Sequence, residues 1–355
     1  MSGGVSLDSI ETPAALVDLD RLEHNLVRWQ EHCDRVGLAN RPHVKTHKCI
    51  EIARRQVELG AVGLTCQTLH EAETMAAAGF RDLLVPFNIL GRSKLGRLSA
   101  LLRDADVAVS VDDAALLPGL DAAARDGGRA LRVLVDCDTG LGRTGVASPE
   151  AAAALADTVA RCDSLRFGGF LTYPSPPGAR DFLAQACALA ERDGRSVPSV
   201  SAGGTPAMWS SGELRPVVTE YRAGTYAFHD RSTVAAGSAT LDDVALTVLA
   251  TVISRPARDR AILDAGSKAL SSDRGPDDGF GHVVEAPVSA LEKLNEEHAY
   301  VSLAAGEELD LGARVRIVPN HACVVANLFE ELVVVSGGRV VDRWPVARGR
   351  VAATA

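Results

Sequence analysis

ALRVLVDCDTGLGRTGVASPEAAAALADTVARCDSLRFGGFL, residues 130–171, contains one complete β/α/β repeat. ALRVLVD (130–136) and LRFGGFL (165–171) are β-rich runs, and PEAAAALADTVARC (149–162) between them is alanine-rich with helical periodicity. Two successive strands joined by a helix take a right-handed crossover and lie parallel. Outward in both directions the pattern recurs. RPHVKT (41–46), AVGLTC (61–66), DLLVPF (82–87) and DVAVSV (106–111) precede the repeat, and PSVSAG (198–203) and YRAGTYAF (221–228) follow it. HEAETMAAAG (70–79) and ARDFLAQACALAERDG (179–194) supply further helical segments. Eight strands alternating with helices predict a (β/α)8 barrel of the TIM type over residues 14–240. A doubly wound sheet is the alternative, because one sequence does not reveal strand order.

Beyond residue 240 the helical pattern stops. VALTVLATVISR (244–255), RAILDAG (260–266), HAYVSL (298–303), RVRIVP (314–319) and LVVVSGGRVV (332–341) predict a mainly β domain over 241–355, with SGGR as a hairpin turn. PAALVDLD (13–20) is a candidate extra strand for it, within residues 1–19. LSSDRGPDDGFGH (270–282) reads as a loop that lies over the site or is mobile.

Composition narrows the function. The chain has 355 residues, 46% of them hydrophobic, with 37 basic against 46 acidic residues and a net charge of −9. That balance argues against nucleic acid and membrane surfaces as partners. No apolar run reaches the ~20 residues of a membrane span, and MSGGVSLDSIE lacks the features of an export signal. Seven cysteines without close pairs indicate reduced thiols in a cytoplasmic setting. Thirty-two glycines and 4% aromatics suit a small-molecule enzyme with many tight connections.

Barrel enzymes carry their chemistry just past the strand ends. Lys45 follows the first strand, where partial desolvation would favour its neutral amine as a Schiff-base nucleophile; an exposed surface lysine would read the same way. DCDTGLGRTG (136–145) presents Arg143 on a glycine-rich turn that is equally a common loop composition. SAGGTP (201–206) and RAGTYAF (222–228) place glycines and hydroxyls where barrels build phosphate sites, after strands 7 and 8. A lysine at one strand end and a phosphate cup at two others predict pyridoxal 5′-phosphate. In PNHAC (319–323), His321 and Cys323 would project to one face of an extended segment, as two open-site metal ligands or as a packed cysteine beside a hydrogen-bonded histidine.

PHVKTHK, DCDTGLGRTGV, SAGGTP, TEYRAGTY and PNHAC, in this order, resemble the D-threonine aldolase and D-serine dehydratase group of the alanine-racemase-like, fold type III enzymes. The resemblance runs from about Thr12 to Arg350. It implies a homodimer with the site at the domain junction, Lys45 as the Schiff-base lysine in preference to Lys48, and Arg143 near the cofactor's phenolic oxygen. Gly203, Gly204, Thr205, Gly224 and Thr225 would hold the phosphate, with His43, Tyr173 and Tyr226 also on the cofactor. Lys45, Arg143 and Tyr173 would form the catalytic set. The resemblance also implies one divalent metal on His321 and Cys323. A thiolate favours Zn2+, whereas a carboxylate in that position would suit Mn2+ or Mg2+. In the resembled group carboxylate forms go with aldolases and cysteine forms with zinc-dependent dehydratases.

The substrates implied are small D-3-hydroxy amino acids. Retro-aldol cleavage to glycine and an aldehyde ranks first, from the whole run of motifs. β-Elimination, as in D-serine or D-3-hydroxyaspartate dehydratases, ranks second, from Cys323. A racemase, a non-catalytic cofactor-binding protein and a metal-dependent barrel without the cofactor are more distant alternatives. One departure stands out: TYPSPPGA (172–179) has no histidine where the group's better-known members carry one, which leaves His229 or His298 as guesses for a base.

Overall fold

Eight strands, in or beside the expected runs, form one parallel sheet in a computed structural model that describes residues 5–349. The strands are β1 (Ala39–Asn40), β2 (Leu64–Thr65), β3 (Asp82–Val85), β4 (Asp106–Val111), β5 (Leu131–Cys137), β6 (Leu165–Thr172), β7 (Val200–Gly203) and β8 (Glu220–Arg222). Their order in the sheet is β1-β8-β7-β6-β5-β4-β3-β2, and a bridge between His43 and Thr65 links its two ends. Neighbours in the sheet are therefore neighbours in sequence. A doubly wound sheet, whose order reverses partway, is ruled out.

Both faces of these strands are covered, which is why they read as nearly continuous apolar runs. Leu84, Ala108, Leu134 and Leu171, one from each of β3 to β6, form a buried cluster on one face. Leu83, Val107, Val109, Val133 and Val135 alternate with them and are fully buried on the other. Helix Pro149–Ala160 packs on β5 and β6; Ser148 caps it by accepting the Ala151 N–H at 3.2 Å, and Pro149 occupies its first turn. Below the leucine layer the first face is charged. Arg41 donates to Glu220 at 2.6 Å and to Asp82 at 2.8 Å, and Arg132 donates to Asp82 at 2.6 Å and Asp106 at 3.1 Å.

Several strands are shorter than the sequence suggests, AVGLTC pairing only over Leu64–Thr65, and two runs largely leave the sheet. RPHVKT is not a strand across 41–46: β1 ends at Asn40, Pro42 has no N–H for a ladder, and Val44–Thr46 is a 3-10 turn. YRAGTYAF likewise leaves the sheet at Arg222, and Thr225–Ala227 is a 3-10 turn.

The chain falls into two compact units. One spans 29–45 and 53–224 and holds the parallel sheet; the other comprises the residues up to Arg28, 46–52 and 225–349. One changeover between the units lies at Gly224 and Thr225. Residues 225–240 include helix Arg231–Ala235, capped by Asp230, whose other carboxylate oxygen accepts the Ala322 N–H at 2.9 Å. In this second unit the strands are β9 (Leu246–Ala257), β10 (Arg260–Leu263), β11 (His282–Val283), β12 (Ala290–Leu294), β13 (Ala299–Ser302), β14 (Arg314–Val318), β15 (Glu331–Ser336) and β16 (Arg339–Pro345). An N-terminal strand, Ala14–Asp18, lies between β9, antiparallel, and β15, parallel. It contributes Ala14 and Leu16 to a core with Ile10, Leu249 and Val333. Gly337 and Gly338, with φ of 54° and 74°, make the tight β15–β16 turn. Among the described residues no helix is long and apolar enough to cross a membrane.

Candidate active site

In the parallel-sheet unit the chemistry gathers around one ring. Tyr173 follows β6 and is 39% exposed. Lys45 Nζ lies 5.9 Å from its ring centroid and Arg143 Cζ 5.2 Å, so two cationic side chains lie over one aromatic ring. The loop presenting Arg143 is pinned from several sides. Asp138 accepts the N–H groups of Gly140 and Leu141 at 2.9 Å and of Gly142 at 3.1 Å, and these bonds hold its carboxyl below the usual range. Asp136 accepts the Thr144 hydroxyl at 2.8 Å, and Asp112 accepts the Gly145 N–H at 3.0 Å. Gly145 is required there: its φ is 109°, and a Cβ would lie 2.4 Å from the Asp138 nitrogen.

At the end of β7 a side chain on Gly203 would meet the Arg222 carbonyl at 2.8 Å, and one on Gly204, at φ 123°, would face the Tyr173 ring at 3.4 Å. Thr205 Oγ1 accepts the Gly224 N–H at 3.4 Å, and the Tyr221 hydroxyl donates to the Gly204 carbonyl at 2.8 Å. Gly203, Gly204, Thr205 and Gly224 are thus brought together. His43 is buried, with Nε2 3.2 Å from Gln67 Oε1. Burial, and then the charges of Lys45 and Arg222, push its pKa well down, so the ring is neutral.

The other unit holds the second group. His321 is the extended residue at the start of helix Ala322–Leu328, and Cys323 is the second residue of that helix. The pair does not share an extended segment as the spacing suggests, because the chain turns helical at Ala322, whose N–H is taken by Asp230. The two side chains nevertheless hydrogen-bond each other. Thr46 and Thr225 hydroxyls lie 3.2 and 3.5 Å from Cys323 Sγ, and His321 Nδ1 lies 2.9 Å from Asp273 Oδ2. Contact with Cys323, then with Asp273, raises the His321 pKa to about 9.

The seven thiols separate sharply. Burial raises Cys33 to about 12 and Cys187 to about 11, and it also pushes Cys49, Cys66, Cys137 and Cys162 up. Cys323 alone is lowered, because His321 and the two hydroxyls outweigh burial. Among the described residues no group of three or more His, Cys, Asp or Glu is arranged to hold a metal, so His321 and Cys323 stand as a two-donor pair.

Lys48 donates to Asn327 Oδ1 at 2.6 Å, and Tyr226 is buried. His229 is buried and its pKa falls to about 4, whereas His298 is exposed. Three residues with a place in these clusters escaped the sequence reading. Thr46 lies inside the quoted PHVKTHK motif, and Asp273 inside the loop 270–282. Arg222, fully buried, donates to Ser201 Oγ at 2.8 Å and the Thr172 carbonyl at 2.7 Å. An arginine in an apolar strand was the available signal for it.

The alanine racemase N-terminal domain family matches residues 17–232, and the serine dehydratase domain family D-ser_dehydrat matches residues 245–335. The chain is 37% identical to a D-threonine aldolase of Arthrobacter sp, over 98% of this chain and 95% of the relative. It is 35% identical to a D-threo-3-hydroxyaspartate dehydratase of Delftia sp. strain HT23, over 97% and 99%. A metal-free cysteine-to-alanine variant of D-threo-3-hydroxyaspartate dehydratase superposes with TM-score 0.89 at 34% identity, over 97% of this chain and 100% of that one. The structure of a D-threonine aldolase from Filomicrobium marinum superposes with TM-score 0.90 at 33% identity, over 97% of each chain. With a full-length match in sequence, a parallel sheet in sequential strand order and a β-rich second unit, the chain belongs to the D-threonine aldolase and D-serine dehydratase group of alanine-racemase-like, pyridoxal-phosphate-dependent lyases.

Proposed function

We propose that the chain is a pyridoxal 5′-phosphate- and divalent-metal-dependent lyase of D-3-hydroxy amino acids, and that its site favours β-elimination to a 2-oxo acid and ammonia. The observation that carries this reading is Cys323 two residues from His321 at the start of one helix, its Sγ 3.2 and 3.5 Å from the Thr46 and Thr225 hydroxyls. An imidazole and a thiolate suit Zn2+, and two protein donors leave coordination positions for a substrate oxygen.

The residues also fit the cofactor. Gly203 has no room for a side chain against the Arg222 carbonyl, Gly204 has a φ of 123° that disfavours one, and with Thr205 and Gly224 they would form a cup whose backbone can approach a phosphate. When bound, pyridoxal phosphate supplies an electron sink for charge developing at Cα, and a divalent ion supplies Lewis acidity at the β-oxygen. Lys45 Nζ would hold the cofactor and then take the proton from substrate Cα. Arg143 and the Tyr173 ring orient that side, and His43, neutral through burial, adds no positive charge beside Lys45. Thr46 follows Lys45 in the chain, and Thr225 follows Gly224. Both hydroxyls rest on Cys323 Sγ, at 3.2 and 3.5 Å.

Elimination needs the α-proton removed and the β-hydroxyl released. Cleavage of Cα–Cβ instead needs a base for the hydroxyl proton, and the segment after β6, residues 173–178, carries neither imidazole nor carboxylate. Retro-aldol cleavage is the second reading, favoured by the 37% identity to a D-threonine aldolase. The deciding assay supplies pyridoxal phosphate and Zn2+ with D-serine, D-threo-3-hydroxyaspartate or D-threonine, and measures 2-oxo acid plus ammonia against glycine plus aldehyde. Oxo acid and ammonia are expected; glycine and aldehyde alone would reverse the ranking. Turnover of none of the three would place the substrate elsewhere and implicate residues 172–179. We place the enzyme in the cytoplasm as a homodimer, which size-exclusion chromatography with light scattering tests.

A further inference from the structure

His321 is held by more than its position before a helix. Asp273, whose carboxylate lies 2.9 Å from His321 Nδ1, stands 48 positions earlier, on the segment between helix Ser267–Leu270 and β11. That segment is clamped to the residue preceding His321. Asn320, 4% exposed, donates through Nδ2 to the carbonyls of Asp273 and Gly279, both at 2.8 Å. Its Oδ1 accepts from Arg231 Nη1 at 2.8 Å, and Arg231 Nη2 reaches Asp277 Oδ2 at 2.7 Å. Gly275 threads this arrangement so closely that a Cβ would lie 2.7 Å from both Arg231 Nη1 and Asn320 Oδ1. Ser271 Oγ accepts the Asp273 N–H at 3.1 Å. On the other side of His321, the Ala322 N–H is fixed by buried Asp230 at 2.9 Å.

An imidazole that gives its Nδ1 proton to a carboxylate keeps Nε2 as a lone-pair donor, in one tautomer and one orientation. We propose that Asp273 is a positioning residue that presents His321 Nε2 to the metal, and that Asn320 and Arg231 form the clamp holding Asp273 in place. The inference rests on the metal reading above and adds the group that orients one of its two donors. Asp273 touches neither substrate nor reacting atoms; it acts through His321.

The test is Zn2+ affinity by chelator competition, with the absorption spectrum of the Co2+-substituted protein alongside, in the full chain and three variants. Asp273→Ala should weaken Zn2+ binding about 10- to 100-fold. Its Co2+ spectrum should keep thiolate charge transfer from Cys323 while the ligand-field bands shift. Asp273→Asn, which retains an acceptor oxygen without the charge, should fall between Asp273→Ala and the parent. Arg274→Ala, on the same segment with its side chain on the Asp278 carbonyl, should bind like the parent. Parent-like affinity in Asp273→Ala, or an equal loss in Arg274→Ala, would overturn the positioning role and leave the metal reading standing. A parent protein that takes up no Zn2+ removes the metal reading, and this inference with it. Should Asp273→Ala lose its fold by circular dichroism, the near-isosteric Asp273→Asn decides: parent-like affinity there, with an unchanged Co2+ spectrum, refutes the role.

Discussion

The two clusters of candidate residues, one in each unit, are built in different ways. Around Tyr173, each contributing side chain sits within a few residues of a parallel strand's C-terminal end: Lys45 beyond β1, Arg143 beyond β5, Tyr173 beyond β6, Gly203 at the end of β7. Around Cys323 the partners are distant in sequence. Thr46 lies 277 positions away, Thr225 98, and Asp273 reaches His321 across 48. A parallel sheet delivers its strand ends to one rim by topology alone, so local pattern suffices to find them. A donor pair in a β-rich unit acquires much of its character from what the tertiary fold sets against it: against the opposing effect of burial, the lowered Cys323 pKa comes first from neighbouring His321 and then from the distant Thr46 and Thr225 hydroxyls.

The largest effect should come from the first cluster. Lys45→Ala should lower kcat by at least about 10³-fold, as expected when one group both holds the cofactor and moves the proton. The ultraviolet-visible band of the cofactor–lysine linkage should vanish with it. A band that persists in Lys45→Ala would break the assignment and direct attention to Lys48. The same unit offers a charged arginine with no chemical task, against which Lys45 can be compared. Arg41 and Glu220 are 7% and 9% exposed at the side chain and 2.6 Å apart. Removing Arg41 leaves a buried carboxylate without its main partner, so Arg41→Ala should cost about 3–5 kcal/mol of unfolding free energy. Chemical denaturation reads that loss, and kcat of the fraction still folded should stay near that of the parent.

Legibility follows the same division. The eight strands were readable because burial on both faces forces apolar runs, and their sequential order follows from short right-handed crossovers. What misled was local. Pro42 ends the first strand early and moves Lys45 into a 3-10 turn, and Asp230, 92 positions before Ala322, helps start a helix where His-x-Cys spacing suggested a strand. Asp273 lay in a stretch whose glycines, serines and aspartates announce a loop and nothing further. Arg222 announces itself only as an arginine in an apolar strand; strand register is what sets it against Ser201.

A smaller effect, and a sharper one, lies in the second cluster. Cys323→Asp exchanges a soft donor for a hard one while keeping a two-donor site. Zn2+ affinity should fall by about 10-fold or more relative to Mn2+, measured by competition between the two ions. If donor type also governs the reaction, the product ratio from a D-3-hydroxy acid should shift towards glycine and aldehyde. An unchanged metal preference would show that His321 and its surroundings, rather than the thiol, set the metal.

The smallest expected effect separates the charged floor of the parallel sheet from its rim. Asp82 receives Arg41 and Arg132, and although burial opposes ionisation, those two guanidiniums hold its carboxyl below the ordinary value. A depressed folded-state pKa contributes stability that is fully present above the unfolded value near 3.9 and is lost as pH falls through the folded value. Acid should therefore weaken the parent more steeply below about pH 4 than it weakens Asp82→Asn. Because the Asp82 side chain is 37% exposed, solvent screening limits the difference to about 1 kcal/mol or less. Denaturant midpoints at several pH values read the two slopes. Parallel slopes would mean that the floor pairs are too well solvated to carry linkage, and that the acid limit of the protein is set by other carboxylates, among them Asp138 with its three backbone N–H bonds.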